Sequence, residues 1–432
     1  MPSFTPLVFA ATFATAALAL NNGVGKLPVL GYNTWNAFQC SISETLLLDT
    51  AQILKDKGLL AAGYSWVNID DCYSEKNRSA AGDIVASAAK FPSGMKSLTD
   101  KIHALGFKTG IYSDSGWFTC GGYPVSPRSY SNELRDARTF KSWGFDYLKC
   151  VSFPYDNVTH TGIIGRYAAM ADAIARVAKE TKTAPILYSL CNWGWSQVWQ
   201  WGKRYGQSWR TTGDINREWP SLAAIINFNS FLTASTDFYG RNDLDMLQIG
   251  NGGLSHEESK SHFTAWALMK SPLLIGTDMR VVTDETVEIL TNKEILAINQ
   301  DPVVGESISP FRWGVNADWT YDPQHPAGYW SGETQNGTVI MLLNTLDEPT
   351  DMSFNLTESP WIRAGRQYHV RDLWTHTNNG TAVRNFTAKA VPAHGVVALL
   401  LKDAGNEPGN VWPPCSVWWQ CTAQDGTRVP GS

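Results

Sequence analysis

The sequence has few charged residues and no stripe of basic ones. Only 17% of the 432 residues are charged, and the formal net charge is −5. Proteins that bind nucleic acids carry a basic patch that neutralises phosphate groups. Because the chain has no such patch, the composition argues against a nucleic-acid partner.

Long apolar runs are also missing beyond the amino terminus. No later segment reaches the roughly 18 apolar residues of a membrane-spanning helix, so we expect no membrane partner. The run from Leu7 to Leu20, with its Ala17-Leu18-Ala19 cleavage site, predicts a secretory signal over residues 1–19. No Lys or Arg precedes Lys26, although signals usually have a positive region, so a buried N-terminal helix is the alternative.

Glycosylation sequons and cysteines also indicate export. An exported chain should pair its cysteines where it can. Cys191 is the odd thiol, and its neighbours Asn192 and Trp193 favour a pocket wall over a bridge. The six sequons are at Asn77, Asn157, Asn336, Asn355, Asn379 and Asn385, and the other cysteines are Cys40, Cys72, Cys120, Cys150, Cys415 and Cys421. We therefore predict a secreted, extracellular glycoprotein, with a connectivity that sequence alone does not fix.

Short apolar runs alternate with amphipathic ones from residue 29 to about residue 299, as in parallel β/α units. The predicted strands are Val29–Asn33, Ser65–Ile69, Lys108–Tyr112, Phe145–Lys149, Ile186–Leu190, Ser208–Thr212, Asp245–Ile249 and Leu273–Ile275. The predicted helices are Glu44–Lys57, Gly94–Leu105, Ser131–Trp143, Gly165–Thr181, Trp219–Phe231, His256–Lys270 and Glu285–Asn299. Polar residues at nearly every strand end favour a (β/α)8 TIM barrel over a doubly wound sheet.

After Asp301-Pro302, turn-forming residues separate short β-prone segments, which predict an antiparallel β-sandwich. The segments are Gly337–Leu343, Gln367–Asp372, Val383–Ala388 and Gly395–Leu401. The predicted organisation is a signal at 1–19, a catalytic barrel at 20–302, a β-domain at 303–403, and a linker with a short Cys- and Trp-containing tail at 404–432.

The residues at the predicted strand ends form an acidic and aromatic set. They are Trp35, Asp70, Asp71, Tyr112, Asp114, Lys149, Cys191, Trp193, Arg210, Asp214, Asp243, Asp245 and Met246. Ionised carboxylates only accept hydrogen bonds, so neighbours such as Asp70 and Asp71 suit the hydroxyl groups of a sugar. Several carboxyls around a sugar predict cleavage of a glycosidic bond.

Asp214 is the predicted acid/base, because Arg210 can hold a substrate hydroxyl or tune the carboxyl by its charge. Helix capping is the structural alternative for Asp214 and for the Asp70-Asp71 pair. A metal site is disfavoured because no His stands at these strand ends and the Asp residues lack glycine-loop spacing. We predict no metal and no cofactor.

Six segments resemble glycoside hydrolase family 27, and the likeness extends over about residues 25–403. They are GYNTWN at 31–36, VNIDDC at 67–72, GIYS at 110–113, TCGGYP at 119–124, WRTTGD at 209–214 and NDLDML at 242–247. The resemblance implies a (β/α)8 barrel followed by an antiparallel β-domain. It also implies retaining hydrolysis of terminal α-linked galactose by a pair of aspartates.

The resemblance also implies roles for single residues, with Asp214 as the acid/base. Residues matched to the galactosyl ring are Trp35, Asp70, Asp71, Lys149, Arg210 and Asp245, with Tyr112 and Met246 lining it. Cys191 and Trp193 match the wall near the sugar 2-hydroxyl, where their bulk would disfavour an N-acetyl group. The implied disulfides are Cys40–Cys72 and Cys120–Cys150.

The chain departs from the family at the fourth strand. Relatives read Lys-Tyr-Asp-Asn-Cys there, with that Asp as the nucleophile, whereas here Cys150 directly follows Lys149. Three residues are missing if both hold their family places. The Tyr-Asp-Asn triplet occurs later in the chain, with Asp156 beyond Pro154. This displacement matters because moving a catalytic group by about an ångström can lower the rate roughly a hundredfold. Asp156 is therefore a poor nucleophile candidate. Smaller departures are Arg241 and Leu244, where relatives usually have Trp and Pro.

The resemblance thus predicts an α-galactosidase that acts on galacto-oligosaccharides or galactomannan, with its nucleophile segment deleted. Two alternatives stay open. One is an inactive galactose-binding homologue, and the other is a glycosidase for a related sugar such as a β-L-arabinopyranoside. The oligomeric state is not predicted.

Overall fold

The computed structural model describes residues 20–116, 119–121, 132–152 and 162–409. Its first part is a closed barrel in which each strand pairs in parallel with the next. The barrel strands are β1 (Leu30–Asn33), β2 (Trp66–Asn68), β3 (Lys108–Asp114), β4 (Tyr147–Val151), β5 (Leu187–Cys191), β6 (Ser208–Arg210), β7 (Arg241–Asp243) and β8 (Leu273–Ile275). β1 pairs with β8, and just beyond β7 the Leu247 amide donates to the Leu274 carbonyl at 2.8 Å, which closes the ring.

Helices connect the strands and cover the barrel. They are α1 (Trp35–Phe38), α2 (Glu44–Asp56), α3 (Met95–Ala104), α4 (Glu133–Ser142), α5 (Gly162–Thr181), α6 (Val198–Trp201), α7 (Trp219–Ser230), α8 (His256–Leu268), α9 (Asp284–Leu290) and α10 (Lys293–Asn299). Side-chain caps set several helix starts, as at α8, where Ser255 and Glu258 form a capping box. In the described part of the chain, no helix combines the length and apolarity needed to span a bilayer.

Two of the predicted barrel elements differ in the structure. The predicted helix Glu285–Asn299 is divided, because the Asn292 side chain accepts hydrogen bonds from the Glu294 and Ile295 amides and so starts α10 anew. The seventh strand lies before the predicted Asp245–Ile249. Asp245 has φ +82°, which extended backbone does not permit, so β7 ends at Asp243.

The second part is an antiparallel β-domain, as predicted. Its strands are β9 (Ser309–Arg312), β10 (Tyr329–Thr334), β11 (Gly337–Leu343), β12 (Thr350–Asn355), β13 (Arg366–Asp372), β14 (Thr377–Val383), β15 (Asn385–Val391) and β16 (Val396–Asn406). A six-stranded sheet ordered β14-β13-β16-β11-β10-β9 packs against the pair β12-β15 around a core that includes Ile340, Phe354 and Leu399. The predicted strand Val383–Ala388 is wrong, since Arg384 with φ +65° separates β14 from β15.

His394 attaches the β-domain to the barrel. Its ring stacks on Trp219 of α7, with 4.3 Å between ring centroids. Its Nδ1 lies 2.7 Å from a Glu258 carboxylate oxygen, and its backbone carbonyl accepts a hydrogen bond of 2.6 Å from Ser261. The two parts therefore share a polar and aromatic contact along α7 and α8.

Candidate active site

Asp70, just beyond β2, is the centre of a polar cluster inside the barrel. Its Oδ2 accepts hydrogen bonds from Asn33 Nδ2 at 2.8 Å and from Lys149 Nζ at 2.9 Å. Burial alone would lower the pKa of Lys149, but the Asp70 carboxylate more than offsets this and holds the pKa above its usual range. Lys149 is therefore charged, and its contact with Asp70 fixes it in the site.

Asp71 points into the neighbouring loop. Its carboxylate accepts hydrogen bonds from the amides of Cys72 and Gly121, each at 2.6 Å, and burial raises its pKa against the effect of these bonds. A side chain at Gly121 could not be accommodated, because a Cβ there would lie 2.8 Å from the Cys72 sulfur. The predicted Cys40–Cys72 disulfide is present and anchors this loop.

Arg210 at the end of β6 joins two carboxylates. Its Nη2 lies 2.8 Å from Asp245 Oδ2 and 3.1 Å from Asp214 Oδ1. Asp245 also accepts hydrogen bonds of 2.8 Å from the amides of Ile215 and Met246. Burial raises the pKa of Asp245, and the Arg210 guanidinium opposes this, so the ion pair holds the carboxylate in place.

Asp214 differs from Asp245 because it is open to solvent. Its side chain is 54% exposed, on the loop between β6 and α7. No helix starts there, since α7 begins at Trp219, so the capping alternative does not describe this residue. Asp214 borders a groove of about 560 Å³ that is also lined by Trp35, Gln248 and Asn251. An exposed carboxyl beside such a groove can exchange a proton with a bound leaving group.

The end of β4 is apolar where the family pattern has a carboxylate. Side chains alternate along a strand, so Lys149 and Val151 point to the same face. Val151 is 1% exposed and packs with Tyr112, Cys191 and Trp193. Of the two residues that follow Lys149 in the strand, Val151 is therefore the one on the same face as Lys149.

The implied Cys120–Cys150 disulfide is wrong, since both cysteines are free thiols. The same alternation turns Cys150 away from the site and into the core, where it is fully buried. Cys120 lies in the loop beyond β3, and its sulfur accepts a hydrogen bond of 3.2 Å from the Tyr112 hydroxyl. Burial raises the pKa of the Cys120 thiol to about 11.

Two supporting residues were not predicted from the sequence. Asn33 holds Asp70, and its position at the end of β1 was the available signal. Trp266 of α8 donates to the Asp245 carbonyl at 2.7 Å, and nothing in its sequence context marks that role. Within the described ranges, no three His, Cys, Asp or Glu side chains gather as metal ligands.

Several predictions fall outside the described residues. They concern the signal at 1–19, Asp156, the sequon at Asn157, and the tail cysteines Cys415 and Cys421. The remaining five sequon asparagines are all exposed, as glycosylation requires.

A (β/α)8 barrel with carboxylates and paired cations gathered at its strand ends is an arrangement that glycoside hydrolases use. The chain can be placed more closely by comparison with known proteins. Residues 28–301 match the family model for alpha galactosidase A, and residues 324–401 match the alpha galactosidase C-terminal beta sandwich domain. The chain belongs to this α-galactosidase family.

Individual relatives cover nearly all of the chain. A probable alpha-galactosidase B of Talaromyces emersonii is 40% identical over 432 residues, which cover 89% of this chain and 94% of the relative. Alpha-galactosidase 3 of Arabidopsis thaliana is 43% identical over 83% of this chain and 78% of its own length. The crystal structure of alpha-galactosidase I from Mortierella vinacea has a TM-score of 0.81 and 35% identity, and covers 90% of this chain and 100% of that one. These likenesses confirm the predicted family and fold class, and they show that the chain belongs to a family of enzymes.

Proposed function

We propose that this chain is built to hydrolyse terminal non-reducing α-D-galactose by a retaining pathway with Asp214 as the acid/base. We also propose that turnover by the encoded chain is low, because three residues that include the nucleophile are missing after Lys149. The observation that carries this second part is the inward position of Val151, beside Tyr112 and Cys191.

Recognition of the sugar rests on groups that are already fixed. Asp70 and Asp245 are buried carboxyls held by Lys149 and Arg210, and their oxygens can receive hydrogen bonds from galactose hydroxyls. The names of the relatives support an α-galactoside as substrate, and a related Saccharomyces cerevisiae α-galactosidase, 29% identical, was solved with raffinose. The Cys191 and Trp193 wall favours galactose over N-acetylgalactosamine by its bulk.

The chemistry divides between two carboxyls. In a retaining glycosidase the acid protonates the leaving oxygen while a carboxylate about 5–5.5 Å away attacks the anomeric carbon. Asp214 then takes a proton from water, which releases galactose from the covalent intermediate. Val151 offers no atom that can attack, so the covalent step has no nucleophile at this strand end.

The decisive test is to insert Tyr-Asp-Asn between Lys149 and Cys150. We expect release of galactose from raffinose and from an aryl α-galactoside to rise by at least about a hundredfold, the scale of a misplaced catalytic group. Galactose affinity, measured by calorimetry, should change only a few-fold. Proton NMR of the first product should show α-galactose.

Control variants separate the alternatives. Asp156→Asn in the encoded chain tests whether the displaced triplet supplies a nucleophile. The proposal would be contradicted if the encoded chain were as active as the insertion variant and Asp156→Asn abolished that activity. Galactose binding with no turnover in either chain would favour the inactive binding homologue. Matched aryl β-L-arabinopyranosides would reveal a different sugar preference.

A further inference from the structure

Three of the five exposed aromatic side chains in the described part of the chain lie in contact with one another, far from Asp214. Trp319 is 67% exposed, Tyr321 59% and Phe231 36%. We call these residues the aromatic patch. Single exposed rings are ordinary, whereas a contiguous exposed apolar group marks an interaction site.

The rings form one continuous surface. Phe231 lies between the other two, with its ring centroid 6.3 Å from Trp319 and 6.0 Å from Tyr321. The buried Trp313 supports the patch from below, 5.1 Å from Trp319 and 5.8 Å from Phe231. The exposed faces are therefore held by packing against a ring of the core.

The loop that carries the patch is fixed by its own polar residues. Asp318 accepts a hydrogen bond of 2.9 Å from the Trp313 amide, and Asn316 donates to Asp322 at 2.9 Å. The Asp322 amide donates to Asn227 of α7 at 3.2 Å. Trp319 itself has φ +65°, a left-handed conformation that costs a bulky residue on the order of 1 kcal/mol. The loop thus keeps Trp319 turned towards solvent in a strained conformation.

We propose that the aromatic patch is a second carbohydrate-binding site, for pyranose rings of a galactose-bearing polysaccharide. Flat aromatic faces match the C–H face of a pyranose ring, and they bury large area without a charged partner. The exposed polar side chains of Asp318, Thr320 and Gln324 border the patch and can bond to sugar hydroxyls. The choice of polymer rests on the proposed function.

The size of the patch argues against a subunit interface. With these exposures, the rings offer roughly 350 Å² of surface. A stable protein interface buries about 800 Å² on each partner, more than twice that area. A chain of sugar rings is narrow enough to need no more surface than the patch provides.

The patch lies at the opposite end of the barrel from the active site. The strands run towards Asp214 and α7 runs back, and Phe231 comes directly after the last residue of α7. One galactosyl group cannot reach both places. Only a long polymer can contact the patch and the active site together. Binding at the patch therefore raises the effective concentration of the polymer at the active site and leaves the binding of small substrates unaffected.

Affinity electrophoresis through gels that contain galactomannan tests the proposal. Saturating free galactose in the gel occupies the active site, so the retardation that persists reports a second site. We expect Trp319→Ala/Tyr321→Ala to weaken the apparent affinity for galactomannan at least about tenfold. Made in the chain that carries the Tyr-Asp-Asn insertion, the same substitutions should leave hydrolysis of an aryl α-galactoside unchanged. Trp361→Ala is the matched control, because Trp361 is 38% exposed and outside the patch.

Trp319→Phe keeps an aromatic face and should retain most of the retardation, which guards against a result caused by misfolding. Equal retardation of all variants, or none for the unmodified chain, would overturn the proposal. Concentration-dependent dimers in sedimentation, dissociated by Trp319→Ala, would assign the patch to a subunit interface instead. If the chain does not bind galactose and its insertion variant does not cleave an α-galactoside, but the chain is still retarded, the proposed function would be contradicted and the second site supported.

Discussion

The ends of β4 and β6 each place a cation in the site, largely buried at β4 and fully buried at β6, and they differ in what comes next along the chain. Arg210 is followed four residues later by the exposed Asp214, whereas Lys149 is followed by a thiol in the core and then by Val151. Both cations are nevertheless paired, because their buried partners come from other strands: Asp245 follows β7 and Asp70 follows β2.

The comparison shows that the fold and the chemistry depend on different residues. Removing a nucleophile after Lys149 leaves no buried charge uncompensated, since Asp70 already neutralises the lysine. Under the proposed function, the β4 end can therefore lack a catalytic group and still keep its place in the barrel. Asp214 is likewise marginal to stability, since half of its side chain is in solvent.

The largest expected effect is catalytic and concerns the β6 end. In the chain that carries the Tyr-Asp-Asn insertion, Asp214→Asn should lower turnover of a poor leaving group by about 10²–10⁴-fold, because proton donation is lost. The free energy of unfolding should change by less than about 0.5 kcal/mol. Steady-state rates and urea denaturation measure the two quantities, and a strongly destabilised variant would mean that Asp214 is structural.

Next in size is the effect of breaking the pair at the β4 end. Asp70→Ala leaves Lys149 charged and largely buried, so we expect destabilisation of about 3–5 kcal/mol and loss of galactose binding. Replacing Lys149 by Met in the same chain should recover part of the stability and none of the binding. As a control, Lys96→Met removes an exposed pair with Asp100, worth about 0.3–0.5 kcal/mol. Urea denaturation that shows equal losses for Asp70→Ala and the double variant would contradict a charge-based cause.

The smallest expected effect is on thiol reactivity. It distinguishes the β4 end of the encoded chain from that of the variant with the Tyr-Asp-Asn insertion. In the folded encoded chain, Cys120 should alkylate slowly at neutral pH and faster as the pH rises towards its pKa of about 11, because only the thiolate reacts. The buried Cys150 and Cys191 should react only after unfolding. In the insertion variant, we expect Cys120 to pair with Cys150 and to stop reacting. Mass spectrometry of the alkylated chain reads out both states, and a reactive Cys120 in the repaired chain would count against the restored register.

The barrel and the site were largely predictable from the sequence, because strand ends in a parallel barrel meet at one face. That rule alone is enough to group Asp70, Lys149 and Arg210 in one site, whereas Asp245 joins them because β7 ends at Asp243, before the predicted strand. The same rule places Asn33 at that face, but it does not predict that Asn33 holds the Asp70 carboxylate.

The wrong predictions have local physical causes. The Cys120–Cys150 bridge followed from the family pattern, and the encoded strand turns Cys150 to its other face. Asn292 and Arg384 interrupt elements through a side-chain cap and a left-handed φ, which apolar periodicity does not register. The exposure of Trp319 depends on contacts with α7 and the core, which the sequence around Trp319 does not show.

The alternation at β4 also has a genetic consequence. A loss of three codons keeps the reading frame. Because three is an odd number, however, every later side chain of the strand then points to the opposite face of the sheet. A single displaced intron boundary between the Lys149 and Cys150 codons would thus convert a hydrolase into a protein that recognises the same sugar and releases it unchanged. Sequencing the transcript across the Lys149–Cys150 junction shows whether it encodes the hydrolase or the protein that only binds the sugar.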